Sequence, residues 1–228
     1  MRILIAGASG AIGRPLVRRL RANQHEVFAL THSPHSAPAL KEIGAEPVIA
    51  DALDAAVVKA AVGRIQPDAV INELTSLPRH YTPAEMKTAA ERDRKVRMEG
   101  NISLLAALRD AGVRRYLLQS SAFWYAPGAG LADESVPFIS SASPGVEARA
   151  RTYLELEARA SATPGIEFVA LRYGFFYGPC DAQKLNQTQR GVTRPQVSTR
   201  CEVLRGPDRR GPCKTRRGDG AKWVSHSE

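Results

Sequence analysis

The chain opens Arg2-Ile3-Leu4-Ile5-Ala6-Gly7-Ala8-Ser9-Gly10-Ala11-Ile12-Gly13, and this stretch decides the fold. Ile3 to Ala6 is a short apolar run with the β-branched character of a buried strand. Pro15 to Arg21 follows as an amphipathic run that reads as a helix. Strand, glycine loop and helix in this order form the setting that a phosphate-binding loop requires. Gly7 permits the tight turn off the strand, Gly10 lets backbone come close to a pyrophosphate, and Gly13 lets the helix pack closely. The first N–H groups of the helix and its positive end would then face the phosphates. Pro15 falls in the first helical turn, where a missing N–H costs little. The spacing is G-x-x-G-x-x-G rather than G-x-G-x-x-G, and the alternative reading is an ordinary structural turn at the edge of an α/β sheet.

The same alternation continues outward from this stretch. Strands are expected at 26–30, 47–50, 67–72, 116–119 and 166–171. Helices are expected at 37–43, 57–62, 85–110 and 144–162. Strand and helix taking turns in this way predict a doubly wound parallel sheet, Rossmann-like, with helices on both faces and right-handed crossovers. The charged first part of the 85–110 helix suits a solvated face or a helix pair across a dimer.

Ligands in open α/β sheets sit at the carboxyl ends of the strands, so the residues there are the site candidates. The second strand ends in Thr31-His32-Ser33 with no carboxylate to hold a ribose 2′-OH. That favours NADP over NAD, although no Arg stands there for the 2′-phosphate. His32 and His35 are either phosphate contacts or surface-loop histidines. Asp51, just past the third strand, is either a helix cap or an acceptor for an adenine amino group; Asp54 is the better cap. Glu73-Leu74-Thr75 closes the fourth strand, and 76–83 is a loop in the right place to face a substrate. Ser120-Ser121 closes the fifth strand, where a hydroxyl either bonds a substrate carbonyl or belongs to a turn.

The chain has 228 residues, 43% of them hydrophobic, enough for a sizeable core. No run approaches the roughly 18 apolar residues of a membrane span, and Met1 leads straight into the first strand, so a cytoplasmic protein with no leader is expected. Cys180, Cys201 and Cys213 lack metal-ligand spacing, so no metal site is expected. The net charge of +9 is concentrated late: residues 181–228 hold 11 Lys/Arg against 5 Asp/Glu. That segment lacks apolar periodicity and reads as a basic, irregular tail behind a domain at 1–180. Nucleic-acid binding through it is ranked low, because no aromatic stacking platform accompanies the charge.

Several stretches together resemble the extended short-chain dehydrogenase/reductase family, NAD(P)-dependent epimerase/dehydratase type. They are Ala6 to Gly13, Asp51-Ala52, Glu99-Gly100, Ala111-Gly112-Val113, Ser120-Ser121-Ala122 and Leu171-Arg172 through Tyr177-Gly178-Pro179. The resemblance covers residues 1 to about 180. It implies that Gly7, Ser9, Gly10, Ala11, Ile12 and Gly13 cradle the pyrophosphate, that Thr31 and His32 flank the adenosine ribose, and that Asp51 and Ala52 contact adenine. It makes Ser121 the catalytic hydroxyl. It implies hydride transfer on a nucleotide sugar or another small carbonyl or carbinol substrate, and a possible homodimer.

Two departures stand against this pattern. The family's acid/base pair is Tyr-x-x-x-Lys, whereas Tyr153 has Glu157 four residues on, and a carboxylate there would raise the phenol pKa. Counting back from Arg172 instead puts Tyr153 at the lysine position and Arg149 at the tyrosine position. Tyr153 is therefore either the catalytic phenol or a helix-packing residue. Second, the pattern collapses after Pro179, where relatives build a substrate-binding lobe, so truncation or a frameshift near Cys180 is expected. Two function classes remain open: an NAD(P)-dependent oxidoreductase, epimerase or dehydratase, and a non-catalytic dinucleotide-binding sensor or interaction module.

Overall fold

The computed structural model describes residues 1–78 and 82–174. Six strands make one parallel sheet: β1 (Arg2–Ala6), β2 (Glu26–Thr31), β3 (Glu46–Ile49), β4 (Ala69–Asn72), β5 (Arg115–Ser121) and β6 (Glu167–Tyr173). Their spatial order is β3-β2-β1-β4-β5-β6. The order reverses between β1 and β4, the two strands that begin the two halves. This is the doubly wound topology expected from the alternation, and its crevice lies at that reversal.

Five helices cross over between the strands: α1 (Gly13–Ala22), α2 (Ala37–Glu42), α3 (Ala55–Ile65), α4 (Pro83–Ala111) and α5 (Pro144–Ser161). Successive strand residues point to opposite faces, and the core divides accordingly. Ile3, Ile5, Val27, Ala29 and Ile71 pack with Val17 of α1 and Leu40 of α2. Leu4, Phe28, Val48, Val70, Tyr116 and Leu118 pack with α3, α4 and α5 on the other side. No strand residue of β6 is buried, in contrast to β1 and β4.

Local signals place the ends of the helices. Asp54 caps α3, its Oδ1 accepting from the N–H groups of Ala56 and Val57 at 3.1 Å each. Thr82 caps α4, which runs to Gly112. A Cβ on Gly100 would lie 2.6 Å from Leu74 Cδ1 and 3.4 Å from Ala52 Cβ, so glycine lets α4 press on the ends of β3 and β4.

Two expectations need correction, and a third holds with one exception. β5 runs to Ser121 rather than ending at Gln119, because β6 pairs alongside it through Ser121 and Tyr173. β6 likewise reaches Tyr173. The solvated face expected for the charged first part of α4 is present, but Arg97 departs from it: it is 4% exposed and donates to Asp93 and Gln119, each at 2.8 Å. The expected tail at 181–228, its altered frame and the three cysteines lie outside the described residues.

Candidate active site

The glycine loop leaves β1 directly over the reversal of strand order. Gly7 has φ +85°, and a Cβ there would fall 2.4 Å from the Glu73 carbonyl oxygen at the end of β4. A Cβ on Gly13 would fall 2.5 Å from the Gly7 carbonyl oxygen. Side chains are thus excluded by the backbone itself, and the loop is a shallow cradle of main chain. Gly10 N–H donates to Gly7 O at 3.0 Å, which closes the turn. Unlike α3 and α4, α1 begins at an N-cap, Ile12, with no capping side chain; its first turn holds no acidic residue. In the first turn of α1 the Arg14 N–H donates to Gly10 O at 3.2 Å and Pro15 has no N–H, so what the helix start offers beside the glycine loop is the positive end of its dipole. Arg14 adds a cation beside it, its Nε donating to Ser9 O at 3.1 Å.

The adenosine side is built from the ends of β2 and β3. Thr31 is buried, and its Oγ1 lies 3.5 Å from Ser9 Oγ while accepting from Ser33 N–H at 3.3 Å. That hydroxyl ties the end of β2 to the glycine loop. His32 is exposed beside it. Asp51 accepts from Leu53 N–H at 3.0 Å and does not cap α3, a role that Asp54 fills. Its carboxylate is exposed. Ala52 is buried, with its methyl committed to the core under α4, so its backbone is what remains to meet a ligand.

The reaction side is built from β4, β5, β6 and α5. Ser121 is buried, and its Oγ accepts from Phe123 N–H at 3.3 Å, capping the 3-10 turn Ala122–Trp124. The Trp124 indole stacks on Tyr153 with ring centroids 6.3 Å apart, which connects the two expected catalytic residues through one short turn. The Arg97 guanidinium lies over the Tyr153 ring, 5.1 Å from its centroid.

Glu157 does not act on Tyr153 in the way its spacing suggests. It accepts from Arg172 Nε and Nη2 at 3.0 and 2.7 Å and from the Ser120 hydroxyl, so its charge is neutralised within a fork. The Tyr153 phenol is held above its ordinary range, first by burial, with Arg97 pulling it down and Asp93 pushing it up. The direction matches the expectation from sequence; its cause is burial.

Sequence reasoning missed Arg97 and gave Glu73 and Tyr173 no task. Asn72, Leu74, Arg97, Leu118, Gln119 and Leu156 close around the ends of β4 and β5. Glu73, 5% exposed, accepts a hydrogen bond from the Tyr173 hydroxyl at 2.9 Å. A charged residue directly after an apolar strand was the available signal. Among the described residues no group of His, Cys, Asp and Glu is arranged to hold a metal ion.

A parallel sheet of this order, with a glycine cradle at its reversal point, defines an α/β protein of the dinucleotide-binding class. The model of the NAD dependent epimerase/dehydratase family matches residues 3–203, and the chain belongs to that family. It is 40% identical over 181 residues to a 3-diazoavenalumate denitrifying reductase of Streptomyces, matching 78% of this chain and 57% of that protein. A 4-hydroxy-2-methyl-3-oxo-4-farnesyl-3,4-dihydroquinoline-1-oxide ketoreductase of Stigmatella aurantiaca is 29% identical over 189 residues, 82% of this chain and 54% of its own length. The chain therefore spans little more than half the length of these curated relatives. Among solved structures, the UDP-glucose 4-epimerase of Thermus thermophilus in complex with NAD superposes with a TM-score of 0.63 at 26% identity, covering 78% of this chain and 57% of that one.

Proposed function

We propose that the chain binds a nicotinamide dinucleotide in the crevice between β1 and β4 and works as a reductase, passing hydride to or from a small carbonyl or carbinol substrate. The observation that carries this reading is the main-chain cradle at Gly7, Gly10 and Gly13 in front of the uncapped α1. Gly7, Ser9, Gly10, Ala11, Ile12 and Gly13 would hold the pyrophosphate, Thr31 and His32 the adenosine ribose, and Asp51 with the backbone of Ala52 the adenine. The cofactor, when bound, supplies the hydride chemistry. Ser121 would hold the reacting oxygen. Tyr153, half-buried beside Trp124 and Arg97, would wall the nicotinamide side.

NADP is the preferred cofactor in this reading, because β2 ends in Thr31 and His32 and presents no carboxylate to repel a 2′-phosphate. The ketoreductase among the relatives supports a ketone acceptor, the denitrifying reductase is named for a diazo compound instead, and the epimerase fold leaves a nucleotide sugar as the narrower option. Among the described residues no helix is long and apolar enough to cross a membrane, and a cytoplasmic location is part of the proposal, as is a homodimer paired through α4. The second reading is a dinucleotide-binding module without turnover. It is favoured by the absence of a lysine four residues after Tyr153.

Thermal melts with NADPH and with NADH test the cofactor. A ligand that binds only the folded state stabilises by about 2.7 kcal/mol at a hundred times its dissociation constant, so a rise of several degrees is expected with NADPH and a smaller one with NADH. Turnover of NADPH with a carbonyl panel then separates the reductase from the module; binding without turnover would decide for the module.

A further inference from the structure

Glu73 follows β4 directly, and Tyr173 is the last residue of β6. The strand between them is β5, and Ser121, the last residue of β5, is the register partner of Tyr173. The Glu73 side chain therefore reaches across the carboxyl end of β5, where its Oε1 accepts from the Tyr173 hydroxyl at 2.9 Å. Glu73 Oε2 is buried and has no hydrogen-bond partner among the described residues. A carboxylate oxygen left unpaired in a buried place is costly, and an apolar side chain such as leucine would fill that place without this cost. The same crevice lacks the Tyr-x-x-x-Lys pair that would otherwise move a proton.

We propose that Tyr173 and Glu73 form the proton relay of this site, with Tyr173 as the catalytic acid/base at the substrate oxygen and Glu73 as the positioning and proton-holding residue behind it. The proposal rests on the reductase reading above. In the reducing direction, hydride from the reduced nicotinamide bonds to the carbonyl carbon, and the π pair of the C=O moves onto oxygen. The Tyr173 phenol turns its O–H from Glu73 Oε1 to that oxygen, which takes the proton as the phenol O–H bond breaks. The Glu73 carboxylic acid then protonates the phenolate and is left as carboxylate, and water returns a proton to it. One ketone, one reduced nicotinamide and one proton give one alcohol and one oxidised nicotinamide. Oxidation runs the same steps backwards.

The surroundings suit this task. Burial pushes Glu73 up to about 7, against the lowering by its bond to Tyr173 and by the Arg97 cation. Among the described residues the charged and titratable groups acting on it are Tyr173 from β6 and Arg97 from α4, and Arg97 is itself paired with Asp93. The backbone carbonyl of Glu73 itself lies against Gly7 in the loop that follows β1. A carboxyl that exchanges its proton near neutrality is what a general acid/base needs.

The test uses the full chain with Glu73→Gln and Tyr173→Phe. The infrared band of the protonated carboxyl, followed against pH without any ligand, should vanish in the wild type with a midpoint near neutrality and be missing from E73Q. Y173F should reduce NADPH-dependent carbonyl turnover by roughly a hundredfold or more with NADPH affinity unchanged by fluorescence titration. E73Q should flatten the neutral limb of the pH–rate profile. If E73Q fails to fold, Y173F, which removes one oxygen, carries the test. Wild-type rate and pH profile in Y173F would overturn the relay, and so would a wild type with no titrating band between pH 6 and 8. A wild type that binds neither NADPH nor NADH overturns the reductase reading and the relay with it. Binding and turnover with unchanged variants overturns the relay alone.

Discussion

Gly13 and Glu73 are the two residues whose replacement is most informative. An alanine methyl at position 13 would meet the Gly7 carbonyl oxygen at 2.5 Å, and backbone cannot yield as a side-chain tip can. Gly13→Ala should lower stability by about 1–3 kcal/mol through overpacking and abolish the cofactor-dependent rise in melting temperature; denaturant unfolding with and without NADPH measures both. Glu73 makes stability depend on pH. Its folded-state pKa is raised from 4.5 to about 7, so the folded chain holds this proton more tightly than the unfolded one. The stabilisation is complete below about 4.5 and is lost as pH rises through 7. At about 1.4 kcal/mol per pKa unit the difference is on the order of 3 kcal/mol. Melting temperatures between pH 5 and 8 should therefore fall in the wild type and stay flatter in Glu73→Gln. Equal slopes in the two proteins would contradict the burial of this carboxyl.

At the scale of elements, the fork between Glu157 and Arg172 is the tie between α5 and β6. The two side chains are 12% and 16% exposed, and Arg172 also lies 4.5 Å from the Phe138 ring centroid and 5.1 Å from that of Tyr125. Removing one partner leaves the other charge buried without compensation, which costs about 3–5 kcal/mol. Arg172→Leu should therefore lower the denaturation midpoint markedly, while Arg172→Leu combined with Glu157→Leu recovers part of the loss; chemical unfolding of the single and double variants checks it. This fork also shows where sequence reading reaches its limit. The turn at Gly7, the packing role of Gly13 and the cap at Asp54 depend on residues within a few positions, and each was legible. The environment of Tyr153 depends on Arg97, brought in from α4, and the partner of Glu73 is a hundred residues away on β6. Spacing along α5 placed Glu157 beside Tyr153, but the carboxylate turns to Arg172. Local pattern fixes the face a residue occupies; the partner it finds there is set by sheet order.

Across the whole molecule, stability should be graded along the sheet. β1 has a paired strand on each side and helices over both faces, whereas no strand residue of β6 is fully buried among the described residues. Local opening follows burial and pairing, so amide exchange in β6 should be at least about tenfold faster than in β1, and mass-spectrometric exchange of the full chain measures it. Uniform protection across the six strands would count against this gradient. The strand order has a further consequence for a chain made from its N-terminus onward. β2 and then β3 add to one flank of β1, and β4, β5 and β6 add in turn to the other. Each strand leaving the ribosome thus meets an edge already laid down, and none has to be threaded between two neighbours.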